Sequence, residues 1–151
     1  MKKLFSLCLI CLLAVSAMAQ NSVWVDLGLP SGTLWKSTNE KGGYYTYNEA
    51  VSQFGNKLPT REQLEELKNE CEWTFTGNGY KVTGPNGEYI TLPGAGYRDC
   101  GGDVGFVNTI DGYWSSTPFN SDFVWFLLLN SSGVGMYGCS HDSRQLVRLV
   151  Q

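Results

Sequence analysis

"DGYWSSTPFNSDFVWFLLLN", residues 111–130, ends in seven consecutive apolar side chains, Phe123 to Leu129. A strand with one wet face alternates apolar with polar, because successive side chains point to opposite faces. Here both faces are apolar. Either another part of the chain covers the second face, the long segment 93–110 being available for it, or that face is kept for a partner. By parity, Trp125, Leu127 and Leu129 share one side, and Val124, Phe126 and Leu128 share the other. Strands are expected on both flanks, at 113–117 and at about 134–140, with Asn130-Ser131-Ser132-Gly133 as the turn between the second and third.

Working outward, the period changes twice. "SVWVDL" (22–27) and "TLWKS" (33–37) read as strands around the turn composition "GLPSG". In "YYTYNEAVSQFG" Thr46 and Glu49 fit a capping box, Ala50, Val51 and Phe54 form an apolar face, and Gly55 offers a stop. A helix is predicted over 47–54. "LPTREQLEELKNECEW" repeats the pattern with Thr60 as cap and Gln63 three residues on, while Leu64, Leu67 and Cys71 lie on one side at i, i+3 and i+7. "WTFT", "YKVT" and "EYITL" then read as short strands, with Asn86-Gly87 as a hairpin turn whose two central positions both require positive φ. A closing strand, "QLVRLV" (145–150), alternates. Strands and two short helices in this order make an α+β chain without an internal repeat.

Lys2 and Lys3 precede an apolar stretch from Leu4 to Val15, and Ala17-Met18-Ala19 supplies the small residues of a cleavage site. The run is shorter than the ~20 residues a spanning helix needs. Residues 1–19 therefore read as a signal peptide, and residues 20–151 as a single exported domain. Removing both lysines makes the formal net charge of −3 two units more negative. A mildly acidic chain without a basic run lacks the electrostatic footprint of a nucleic-acid or anionic-membrane binder. Cys71, Cys100 and Cys139 remain after cleavage, an odd number that permits one bridge, in any of three pairings, or none.

"VDLGLPSGTLW" (25–35), "LPTREQLEEL" (58–67), "CEW" (71–73), "LPGAGYR" (92–98), "GYWSST" (112–117) and "VRLV" (147–150) occur in that order. Together they resemble the secreted bacterial major paralogous domain (FISUMP) family, a branch of the C-type-lectin-like fold related to formylglycine-generating enzyme. The resemblance implies small twisted antiparallel sheets, two helices, paired first and last strands and long loops. The C-terminal part is similar to the variable region of target proteins of diversity-generating retroelements, in which adenine-directed errors rewrite the 3′ end of the gene. Residues 118–144 contain no Lys, Glu or Gln, as such rewriting of asparagine codons implies.

The resemblance implies an exported, non-enzymatic protein with a changeable binding face for a macromolecular ligand, and no cofactor. It keeps Trp125, Leu127 and Leu129 in the core and turns Val124, Phe126 and Leu128 outward. Phe119, Asn120, Ser121, Asp122 and Phe123 would join them from the preceding turn. Gly135, Tyr137, Gly138, Cys139, Ser140, His141, Asp142 and Ser143 would join them from the following strand and turn. Tyr, Ser, Gly, Asn and Phe on a rigid scaffold are the ingredients of an adaptable surface. A fixed-specificity surface or carbohydrate-binding module of the same fold is the alternative, and an enzyme a more distant one.

Catalytic and metal chemistry find little support in the residues. His141 lies two residues from Cys139, so a strand would put a Cys–His pair on one face, but no third group is evident to orient the imidazole. Formylglycine-generating enzymes use two cysteines close together near the C-terminal end, and Cys139 has no such neighbour. One His and three scattered Cys give no zinc spacing. Asp99, Asp103, Asn108 and Asp111 offer oxygens for calcium without a recognisable loop. Pro85-Asn86 faintly matches the sugar-binding tripeptide of calcium-dependent lectins, inside a hairpin turn.

Overall fold

The computed structural model describes residues 23–94, 97–98, 104–105 and 110–151. The chain is α+β, with antiparallel sheets and two helices. β1 (Trp24–Asp26) pairs with β2 (Leu34–Lys36); α1 (Tyr47–Phe54) and α2 (Arg61–Glu70) follow. A sheet of β3 (Glu72–Phe75), β4 (Gly79–Thr83) and β5 (Tyr89–Pro93) comes next, then the small pair β6 (Tyr97–Arg98) and β7 (Val104–Gly105). The last sheet holds β8 (Ile110–Pro118), β9 (Phe123–Asn130) and β10 (Gly133–Ser140) in the order β10-β9-β8. The signal-peptide reading, Cys100, and Asp99, Asp103 and Asn108 lie outside the described residues. Among those described, no helix is long and apolar enough to cross a membrane.

Both predicted helices form over the expected residues, and both capping boxes close. Thr46 Oγ1 accepts from Glu49 N while Glu49 accepts from Thr46 N, and Thr60 and Gln63 do the same. Each box satisfies two of the amide donors that a helix start leaves without partners. Leu64 and Leu67 point α2 into the core.

The apolar run of β9 is explained by cover on both faces. Leu127 and Leu129 join Tyr113, Leu64, Leu67, Val82, Ile90, Leu92, Trp35 and others in one buried cluster. Val124 and Phe126 lie on the opposite side with Trp114, Tyr45, Ala50, Leu58, Val147 and Leu149. The second cover is thus supplied by α1, the residues after it and the C-terminal segment. Each fully buried large apolar side chain contributes roughly 1.5–3 kcal/mol, so exposing either face would remove much of the fold's driving force.

Two expectations are corrected. The β4–β5 turn is not a two-residue Asn86-Gly87 turn. Gly87 N donates to Gly84 O, which makes Pro85 and Asn86 the central residues, and Gly87 follows with φ +88°. Proline pre-sets the first central φ of such a turn, and the glycine then takes the left-handed residue that closes it. Residues 145–150 are also not an alternating strand with a wet side, since all six are buried. They run between β8 and the segment 34–45. Leu146 bonds Gly112 and Trp114 on one side, and Lys36, Glu40 and Tyr45 bond Leu149, Val147 and Gln145 on the other. Trp35 forms an antiparallel bridge to Val150, which places the chain's last residues beside β2.

Arg148 occupies the centre of this segment at 1% exposure. Its guanidinium donates to Asn39 Oδ1 (2.8 Å), Lys36 O (2.9 Å) and Thr91 O (2.6 Å). Removing a donor from buried acceptors costs about 1–3 kcal/mol per group left unsatisfied. Arg148→Met is therefore expected to lower the unfolding free energy by about 3 kcal/mol, read from urea denaturation midpoints at unchanged slope. A loss below about 1 kcal/mol would show that these acceptors find other donors.

Candidate functional site

The last sheet carries the surface to which the sequence directs attention. β9 and β10 pair without interruption from Gly133 opposite Asn130 to Ser140 opposite Phe123. Directly opposed residues share a face, so Gly135, Tyr137 and Cys139 lie with Leu128, Phe126 and Val124. Met136 and Gly138 lie with Leu127 and Trp125.

The expected division of β9 is reversed at its start. Val124 is 0% exposed and Phe126 6%, both in the cluster under α1 and the C-terminal segment, so neither is a surface residue. Leu128 is half-buried at the rim of that cluster. Trp125, assigned to the core, is only half-buried. The Arg61 guanidinium sits 4.0 Å from the Trp125 ring centre, a cation–π contact, and Phe119 meets the ring edge-on at 4.6 Å. Phe119 also lies across Gly138, where a Cβ would approach its ring to 3.2 Å. Arg61 could not have been inferred from the strand, since only the tertiary fold brings α2 to it.

The turn before β9 presents two aromatics. Phe119 N and Asn120 N both donate to Phe123 O, and Asn120 Oδ1 accepts from Asp122 N and Phe123 N. Asn120 thereby holds the turn closed from within, while Ser121 and Asp122 are exposed. Phe119 and Phe123 are left 48% and 41% exposed. Tyr137, at 55%, stands on the opposite side of the sheet beside a cleft of about 220 Å³. Leu128, Gly135 and Tyr137 line that cleft together with Ser132 of the turn and the strand ends beside it, Asn130, Gly133 and Val134. The turn composition was legible, but a cleft needs the hairpin's three-dimensional shape.

Past β10 the expected residues divide. Ser140 is half-buried and Asp142 exposed. Ser143 is 6% exposed, its amide bonded to Ser140 O and its hydroxyl directed to Cys139, so it belongs to the interior and not to a binding face. Cys139 is half-buried, and burial pushes its thiol up to about 12, outweighing hydrogen bonds from Gln145 and Ser143. His141 stacks edge-on against Tyr47, and its buried Nε2 has no hydrogen-bond partner. The site thus gives Cys139 an amide and a hydroxyl as neighbours, and gives His141 an aromatic ring. A nucleophilic thiol needs a lowered pKa, and this one is raised.

Cys71 and Cys139 are both free thiols. Asn86 directs its amide to Asp26 O and accepts from Glu88 N, so both ends of the side chain serve the turn. Asp111 is buried at 3% exposure. Among the described residues, no group of three or more His, Cys, Asp or Glu is placed to hold a metal ion. Comparison with family models, with curated proteins and with solved structures finds no match.

Two outcomes follow from this geometry. Val124→Ser and Phe126→Ser are each expected to cost more than about 2 kcal/mol, whereas Phe119→Ser and Phe123→Ser fall within about 1 kcal/mol of the parent, all measured by thermal and urea unfolding. At pH 8 the native Cys71 and Cys139 thiols, raised to about 11 and about 12 from a usual 9.0, should alkylate with iodoacetamide at least roughly 100-fold slower than in the unfolded chain. Site-resolved mass spectrometry reads this directly, and fast labelling of native Cys139 would restore it as a reactive group.

Proposed function

We propose that this chain is an exported, non-enzymatic recognition protein of C-type-lectin-like fold, whose C-terminal hairpin and flanking turns form a ligand-binding face diversified by a retroelement. One observation carries the reading. Phe119, Phe123 and Tyr137, three of the large exposed apolar side chains, sit on the last sheet and its first turn, the two phenylalanines on one side and Tyr137 on the other, around an interior held by buried clusters on both faces. Exposed aromatics on a rigid frame give large contact area at low ordering cost, and their replacement leaves the frame intact. The bridge between Trp35 of β2 and Val150 brings the end of the chain beside the first hairpin, at its second strand and not at the first strand that the lectin-like reading pairs with the last. The raised Cys139 thiol supports a binding role over nucleophilic catalysis. The ligand is a macromolecule, met outside the cytoplasm.

The binding face is accordingly redrawn as Phe119 to Phe123, Leu128, Gly135, Tyr137, Gly138, Ser140, His141 and Asp142, without the buried Val124, Phe126 and Ser143 and without Cys139, which packs against their cluster. The test is deep sequencing of the 3′ end of the gene across a cultured population and its relatives. Substitutions are expected to cluster in the codons for 119–123, 137–138 and 140–142, while those for Val124, Phe126, Leu127, Leu129 and Val147 stay constant. A uniform stretch would reject diversification and leave a binding protein of fixed specificity.

A further inference from the structure

We propose that Asn78 is a site of spontaneous covalent modification, where the side-chain amide is lost as ammonia and an aspartate or isoaspartate takes its place. The reaction needs only water. Gly79 N attacks Asn78 Cγ, the new N–C bond closes a cyclic imide, and the Cγ–Nδ2 bond breaks with release of ammonia. Water then opens the ring at either carbonyl. One opening leaves a carboxylate where the amide stood, and the other routes the main chain through Cγ. Nothing is oxidised or reduced.

A following residue without Cβ leaves its amide nitrogen unhindered, so asparagine before glycine is especially open to this attack. The chain has two such pairs, Asn78-Gly79 and Asn86-Gly87. The fold separates them. Asn86 is held at each atom the reaction would move: Nδ2 donates to Asp26 O (2.9 Å), Oδ1 accepts from Glu88 N (3.0 Å), and Gly87 N donates to Gly84 O (3.0 Å). Closing the imide there would break all three bonds together. Asn78 is exposed, in the turn between β3 and β4, and its side-chain amide makes no hydrogen bond among the described residues. Thr76 N and Thr76 Oγ1 both donate to Gly79 O (3.0 and 3.1 Å), but Gly79 N returns no bond to Thr76 O.

The glycine that makes Asn78 labile is also one the fold requires. Gly79 has φ +114°, and a Cβ on it would lie 2.2 Å from Leu92 O, so the close approach of β5 preserves the reactive pair. The modification would be felt locally. Asn78 O accepts from Gly94 N (3.0 Å), tying the turn to the end of β5. In isoaspartate that carbonyl becomes a pendant carboxylate, and either product makes an acidic chain more negative.

This inference stands apart from the ligand-binding reading, which would survive its failure. The purified protein is incubated in mildly alkaline buffer, native and in guanidinium chloride, and the amide-to-acid mass gain at each asparagine is followed by peptide mapping. In the native protein Asn78 is expected to convert at least about tenfold faster than Asn86, and in the unfolded chain the two rates should converge. Asn78→Ser, at a side chain already in solvent, should remove the first acidic species from the native ion-exchange profile and leave Tm unchanged. Native rates at Asn78 and Asn86 within about twofold of each other would overturn the proposal. An acidic species that forms undiminished in Asn78→Ser would overturn it equally, by placing the labile amide elsewhere.

Discussion

The burial of Arg148 is the constraint on which the rest of the architecture depends. A charged guanidinium removed from water must have its donors met by oxygens in fixed positions. Here those oxygens come from β2, from Asn39 just beyond it and from β5. Asn39 in turn donates to Tyr113 Oη, and that hydroxyl donates to Pro93 O. A single side chain near the end of the chain therefore sets the first hairpin, the middle sheet and the start of the last sheet against one another. Misplacing any of the three segments would leave part of the guanidinium unsatisfied, which is costly enough to select one arrangement.

With that arrangement set, little of the last sheet remains free. α2 and the first and middle sheets cover one face, and α1 and the C-terminal segment cover the other. What is left for interaction is its perimeter: the turn at 119–123, the Tyr137 cleft, the turn after β10, and the outer edge of β10 itself. A surface made of turns and an edge tolerates change in a way that a sheet face packed on two sides does not. The physical basis for a changeable binding face is therefore the thoroughness of the packing behind it.

The local elements were legible because their signals are local. The capping pairs Thr46–Glu49 and Thr60–Gln63 lie within one turn of helix, and the apolar spacing of Leu64 and Leu67 needs no tertiary information. The strands of the last sheet were marked by their β-rich composition and by the Asn and Gly at their turns. The parity of β9 was also visible. Which parity faces outward was not, because an all-apolar strand offers no polar residue to label its wet side.

Residues 46–70 and 110–140 by themselves determined two capped helices and a run of strands, since hydrogen bonds and periodicity within a few residues settle those forms. Only the tertiary structure decided that Val124 and Phe126 are interior, that Arg61 and Phe119 meet Trp125 at the surface, and that Arg148 is a buried clamp. Each of those outcomes depends on which distant segment arrives to exclude water. No pattern within a single strand encodes that arrival; it emerges when the closing segment threads between β2 and β8.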